Sequence, residues 1–389
     1  MDYFDFYCPT HVIFGRGARK ELIKCLIENS WKRVGLVVDH NLFSNKSVIE
    51  LIESISATSG HIVSGQCSVS EPTYEDLEKM RKQYAGQNLQ VMVGIGGGSA
   101  LDMAKAMAVL VTNPKPAISY LGFNKMENPV LPIVTLPTTA GTGSEVTPNA
   151  SFIDSVGKRK MGINGECIRP RYSLLDPELT LSCPEKPTIS SAVDSIVHAI
   201  EAYVAKKTNP MARMFAKEGL KNVFNNLSRV VKEPNNIISR ERIMYGAFLS
   251  GIALMNSGTG PAAAMSYPLG VHFRVPHGIG GGIFIPLVIE HNIKNGYYDY
   301  ADLYEAVSPE NPESNITKKE KAELFLKKVS LLFSKLNIPD NLSKLGVTSE
   351  FVPIFLRDIL TLRGALEQNP VPFLEKEILS VLNSLKLQG

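Results

Sequence analysis

The chain changes rhythm part way along its length, and that change restricts its fold more than any other feature. Residues 34–39 (VGLVVD) read as a buried strand, 47–59 as a helix, 61–64 as a short strand and 74–84 as a second helix. Residues 89–94 (LQVMVG) then read as a strand, 100–111 as a helix and 130–136 (VLPIVTL) as a further strand. Such alternation predicts a parallel sheet with helices on both faces, because parallel neighbours need crossover connections. Beyond Pro184 the pattern turns to long amphipathic segments at 190–205, 212–227, 239–256, 318–336 and 373–387, with strand-like alternation nearly absent. The proline-bearing stretch Cys183-Pro184-Glu185-Lys186-Pro187 marks the boundary. The expected architecture is an α/β N-terminal domain over 1–183 and an all-helical C-terminal domain over 184–389. A length of 389 residues favours two cores over one.

Charge narrows the partners. Forty-one Lys and Arg against 38 Asp and Glu leave a net charge of +3, too balanced to point to nucleic acid or an anionic membrane. Cys8, Cys25, Cys67, Cys167 and Cys183 are scattered and form no Cys-x-x-Cys pair. That pattern argues against a disulfide framework or structural zinc cluster and fits a reducing compartment. The opening residues Met1-Asp2-Tyr3-Phe4-Asp5 lack the basic and apolar regions of a secretion signal. No run reaches the roughly 18 apolar residues of a membrane span. A cytoplasmic protein without membrane attachment is expected.

Gly94-Ile95-Gly96-Gly97-Gly98-Ser99 falls between a predicted strand and a predicted helix. Glycines let a backbone approach a phosphate closely, and a helix N-terminus offers N–H groups to an anion. Ser99 reads as the N-cap, with Asp102 at the capping-box position. The spacing is not Gly-x-Gly-x-x-Gly, so a plain glycine hinge is the competing reading. Asp39 ends the first long strand, where dinucleotide folds receive a ribose 2′-hydroxyl and repel a 2′-phosphate, which favours NAD over NADP. After the strand at 130–136 comes Pro137-Thr138-Thr139-Ala140-Gly141-Thr142-Gly143-Ser144-Glu145, a dense set of donors where open α/β sheets bind ligands.

Asp194 and His198 are four apart on a predicted helix, so their side chains leave one face. They can share a divalent metal or form a simple hydrogen-bonded pair. His277, in Pro276-His277-Gly278, is a third candidate, or a helix cap.

Together these strings resemble the iron-containing (group III) alcohol dehydrogenase family over nearly the whole chain. The resemblance runs through Ile13-Phe14-Gly15-Arg16-Gly17, residues 96–105, residues 136–147 and Leu175-Asp176-Pro177-Glu178-Leu179-Thr180. It continues through residues 194–203, Tyr267-Pro268-Leu269-Gly270 and Pro276-His277-Gly278. It implies a dinucleotide-binding α/β domain, a helical metal domain, a cleft between them, and NAD(P)-dependent interconversion of a small alcohol with an aldehyde or ketone. By position, Asp39 would contact the ribose and Gly96, Gly97, Gly98, Ser99 and Asp102 would form the pyrophosphate turn. Thr138, Thr139, Thr142, Ser144, Thr147, Lys160 and Leu179 would line the cofactor groove, and Asn149 would face the nicotinamide. Asp194, His198 and His277 match three of the family's four ligands for iron or zinc. A homo-oligomer, a dimer, is also expected.

Two departures alter the site. The family's remaining ligand is a His fourteen residues before the Pro-His-Gly histidine, and here that residue is Ala263. Four residues later a His implicated in proton relay is replaced by Tyr267. Three readings follow: a three-ligand metal with open positions, His272 as substitute ligand, or a metal-free site in which Tyr267 and His277 polarise the carbonyl and relay the proton. Arg274, Lys160, Arg169 and Arg171 raise an anionic substrate. A dehydroquinate-synthase-type lyase or cyclase, and a silent dinucleotide-binding protein, are the rival functions.

Overall fold

The computed structural model describes residues 3–68, 71–308 and 316–385. The chain forms two compact units, one of Cys8–Thr188 with Pro234–Met244, the other of Met1–Tyr7, Ile189–Glu233 and Tyr245–Gly389.

In the first unit the strands are β1 (His11–Phe14), β2 (Arg33–Asp39), β3 (His61–Cys67), β4 (Val91–Gly96), β5 (Gly122–Phe123), β6 (Ile133–Pro137), β7 (Asn149–Asp154), β8 (Arg159–Asn164) and β9 (Tyr172–Leu175). The helices α1 (Glu21–Glu28), α2 (Lys46–Thr58), α3 (Tyr74–Tyr84) and α4 (Gly98–Leu110) fall between them. Six strands make one sheet in the order β1-β9-β6-β4-β2-β3, and every pairing in it is parallel. Alternate residues of β2 enter opposite cores. Val34, Leu36 and Val38 pack with Leu22, Leu26, Leu51 and Ile55 of α1 and α2, whereas Val37 joins Leu77, Met80, Met103 and Met107 of α3 and α4. Burial on both faces is why these strands read as unbroken apolar runs. The chain leaves β2 toward β3 at one edge and leaves β4 toward β6 on the other side, so connections diverge between β2 and β4. A three-stranded sheet, β5-β8-β7, was not anticipated; β7 and β8 are its antiparallel pair.

The second unit is helical, built from α5 (Glu185–Val204, from Ile189 on), α6 (Pro210–Lys232), α7 (Ile237–Met255, from Tyr245 on), α8 (Pro261–Phe273), α9 (His277–Lys294), α10 (Tyr300–Val307), α11 (Lys318–Lys335), α12 (Val352–Leu360), α13 (Arg363–Leu366) and α14 (Glu375–Ser384). The helix expected at 373–387 appears as α14; its expected last residue, Leu387, lies outside the described residues. Among the described residues no helix is long and apolar enough to cross a membrane.

Candidate functional site

Asp39 and the glycine turn meet where the connections diverge. Ligands of open α/β sheets bind at such switch points, beyond the carboxyl ends of the strands. Gly96 ends β4 with a φ of +153°, and a Cβ there would stand 2.7 Å from the Ala100 Cβ and 2.9 Å from the Asp39 Cβ. Only glycine fits between the turn and the acid. Asp39 also caps a short 3₁₀ turn, accepting the Asn41 N–H at 3.0 Å.

The threonine loop is laid over this turn. Thr138 N–H donates to the Gly96 carbonyl at 2.9 Å. The Thr139 side chain covers Gly97 at 3.3 Å from where a Cβ would stand, and Thr142 covers Gly98 at 2.6 Å. Helix α4 starts with Gly97 as its N-cap, and no side chain caps it among the described residues. This corrects the expectation of Ser99 as N-cap with Asp102 closing a capping box. Asp102 instead accepts Ser144 Oγ at 2.5 Å and Ser151 N–H at 2.9 Å. Its partners lie more than forty residues away in sequence, which is why local spacing misassigned it.

Lys105 was overlooked, although a lone lysine in the apolar run Met103-Ala104-Lys105-Ala106-Met107 was a visible signal. It is fully buried and donates to the carbonyls of Thr147 and Asn149 at 3.0 and 2.9 Å. Burial pushes its ammonium down to about 8, against the opposing pull of Asp102 and Glu145. Asp102 and Lys105, three apart on α4, thus fasten the chain from Ser144 to Ser151 and present Asn149, exposed at the start of β7. Lys105→Met strands both carbonyls and an acid. The expected cost is about 3–5 kcal/mol of unfolding free energy by urea titration, with weaker dinucleotide binding.

Two other expected groove residues have partners within this unit. Lys160 pairs with Glu71 at 2.6 Å, and Leu179 is buried in the core with Leu136 and Leu174. Of the basic residues, Arg169 donates to the Val146 carbonyl and pairs with Glu166 at 2.7 Å, while Arg171 lies over Trp31 and Tyr172. Arg274 is exposed as the left-handed C-cap of α8.

In the helical unit, Asp194 and His198 leave one face of α5 and His277 opens α9. A glycine face on α9 allows their approach. A Cβ on Gly278 would overlap the Ser190 carbonyl oxygen and stand 2.8 Å from the Asp194 Cβ, and one on Gly282 would stand 2.7 Å from Val193. The candidate ligand atoms of all three side chains lie within 4.8 Å of one another. His198 Nε2 and His277 Nε2 stand 3.5 and 3.9 Å from the same oxygen, Asp194 Oδ1. These separations are long for hydrogen bonds. They suit ligands around one ion, since tetrahedral bonds of about 2.0–2.1 Å put ligand atoms roughly 3.3 Å apart. His198 Nδ1, on the far side of the ring from Asp194, is buried with no hydrogen-bond partner among the described residues. The residues fit a divalent metal.

Around the triad, Tyr267 stacks on His277 with centroids 5.1 Å apart at 27°. Ala263 is buried on the first turn of α8. Glu201 anchors that turn by accepting the N–H groups of Gly260, Ala262 and Ala263, and burial pushes its carboxyl up to about 7. His272 is not the substitute ligand: its Nε2 lies 2.9 Å from Asp358 Oδ2, beside Phe351 and Phe355.

An acid and a glycine turn stand at a parallel switch point, where open α/β sheets bind ligands, and Asp194, His198 and His277 converge in the helical unit. The iron-containing alcohol dehydrogenase model matches residues 9–177, and the C-terminal model of the Fe-containing alcohol dehydrogenase family matches residues 188–385. The chain belongs to the iron-containing alcohol dehydrogenase family. It is 31% identical to the NAD-dependent methanol dehydrogenase of Bacillus methanolicus, over 91% of this chain and 92% of that protein. It is 29% identical to the 1,3-propanediol dehydrogenase of Citrobacter freundii, over 97% of each. The crystal structure of a 1,3-propanediol oxidoreductase superposes with a TM-score of 0.92 at 26% identity, covering 98% of this chain and 100% of that one.

Proposed function

We propose that this protein is an NAD-dependent alcohol dehydrogenase acting reversibly on a small primary alcohol or aldehyde, neutral or anionic. The convergence of the Asp194, His198 and His277 ligand atoms within 4.8 Å is the observation that carries the reading. The glycine turn and Asp39 support the cofactor assignment. Lys160, Arg169 and Arg171 are engaged, which leaves the exposed Arg274, three residues before His277, as the cation available to an anionic substrate.

When bound, a divalent metal supplies Lewis-acid polarisation of the substrate oxygen and the nicotinamide supplies or accepts hydride. Asp194, His198 and His277 would hold that metal, iron or zinc. The remaining work belongs to the chain. The Gly96–Ser99 turn, Thr139 and Thr142 would fix the pyrophosphate, with Thr138, Thr147 and the backbone beside Ser144 completing the groove. Asn149 would orient the nicotinamide end. Tyr267, stacked on His277, would move a proton at its Oη. We assign the cofactor to the 1–183 region, the metal and substrate to 184–389, and the whole to the cytoplasm as a homodimer.

Asp39 would set cofactor choice. Asp39→Asn keeps an acceptor for Asn41 but removes the charge that repels a 2′-phosphate. The ratio of kcat/KM for NAD over NADP is expected to fall at least about tenfold, or 1.4 kcal/mol.

The function is tested by offering purified protein NAD and a panel of short primary alcohols, diols and sulfonated alcohols. One NADH per alcohol oxidised is expected. Turnover without net NADH would favour the lyase or cyclase reading. Dinucleotide binding with no turnover on any member would favour a silent binding protein.

A further inference from the structure

We propose that Ser266 is a positioning residue that fixes which nitrogen of His277 carries the proton, and thereby aims the other nitrogen at the metal. The proposal rests on reading Asp194, His198 and His277 as ligands. A hydroxyl has one hydrogen, and Ser266 Oγ donates its own to the Ala263 carbonyl at 2.6 Å. Toward His277 Nδ1, also 2.6 Å away, it has only lone pairs to offer. Nδ1 must then be the protonated nitrogen. That leaves Nε2, 3.9 Å from Asp194 Oδ1, presenting a lone pair to a carboxylate oxygen. Two such groups repel across an empty space and attract across a cation.

The surroundings hold Ser266 to this task. It is 1% exposed, and the α9 backbone presses so closely that a Cβ on Gly280 would stand 2.8 Å from the Ser266 Cβ. Tyr267 covers a face of the imidazole, so one residue fixes the ring's plane while its neighbour fixes the rotation within it. Although acid, histidine and serine lie in a row, Ser266 is no nucleophile: it is buried and its proton faces a carbonyl. His198 contrasts with His277, because its Nδ1 has no hydrogen-bond partner among the described residues. With alanine at position 263, the orientation of the remaining ligands carries a larger share of the affinity.

The test uses Co2+ as probe on the metal-stripped full chain, titrated against a competing chelator. Ser266→Ala is expected to weaken Co2+ binding about 10- to 100-fold. Ser266→Cys, which keeps a poorer acceptor in the same place, should fall between. Nitrogen NMR of the histidine-labelled, metal-free wild type should show His277 protonated on Nδ1, a reading that needs no variant to fold. Ser266→Ala binding Co2+ as tightly as wild type, or His277 protonated on Nε2, overturns the proposal. Wild type that binds no Co2+, indistinguishable from Asp194→Ala, removes the metal reading and the proposal with it. Binding lost in Asp194→Ala but intact in Ser266→Ala removes the role of Ser266 alone.

Discussion

Replacing Gly278 by alanine is expected to break the Asp-His-His centre, although the new methyl group touches none of the ligand atoms. The added Cβ would collide with the Ser190 carbonyl oxygen, with the Asp194 Cβ at 2.8 Å and the Asp194 backbone nitrogen at 3.0 Å beside it. Backbone cannot rotate away as a long side chain can, so relief requires α9 to move off α5. The residue before Gly278 is the ligand His277, and it would move too. A displacement on the order of 1 Å costs about a hundredfold in a positioned site. Metal affinity should fall at least that far, with overpacking taking about 1–3 kcal/mol from stability. Thermal melts and metal titration of Gly278→Ala check both. Gly346→Ala, at a turn glycine with a φ of +76° and open space around it, tests backbone strain without this collision.

Asp194→Ala is the second large effect. Asp194 is the one carboxylate among the three candidate ligands, and its Oδ1 is the oxygen both Nε2 atoms approach. Without it, two imidazoles remain, and a divalent cation loses its only carboxylate partner in the triad. If Lewis-acid stabilisation is worth about 4 kcal/mol, kcat/KM for the best alcohol should drop roughly a thousandfold. Metal content should fall in parallel. Dinucleotide affinity, assigned to residues of the α/β unit, should stay within about threefold.

What the sequence disclosed followed from periodicity. The strands that became β2, β4 and β6 are buried on both faces and therefore legible as apolar runs, and Asp194 and His198 share a face through helical spacing alone. Helices α8 and α9 were harder to read. They carry Pro268 and Pro286 and a glycine run at 280–282, ordinary signals against helix, and α8 is buried over Pro261–Ser266 so it shows no amphipathic face. Their glycines serve close packing against α5 and α8, a tertiary demand that overrides propensity. The β7–β8 pair was missed because neither strand is a long apolar run, and Arg159-Lys160 opens the second.

The site divided along the same line. Asp39 and the glycines were legible because a strand end and a turn are local features, and the structure sets them side by side. Asp102 matched a local capping pattern but serves the distant Ser144 and Ser151. Ser266 carried no signal of its own, since its meaning depends on meeting His277 across two helices.

The proposed chemistry needs a metal held by three side chains where the resemblance would supply a fourth. Elemental analysis of the purified protein, paired with NADH formation from an alcohol before and after chelation, tests this most directly. About one iron or zinc per chain is predicted, with activity lost on chelation and restored by adding the same metal. A fully active protein containing no metal would contradict it.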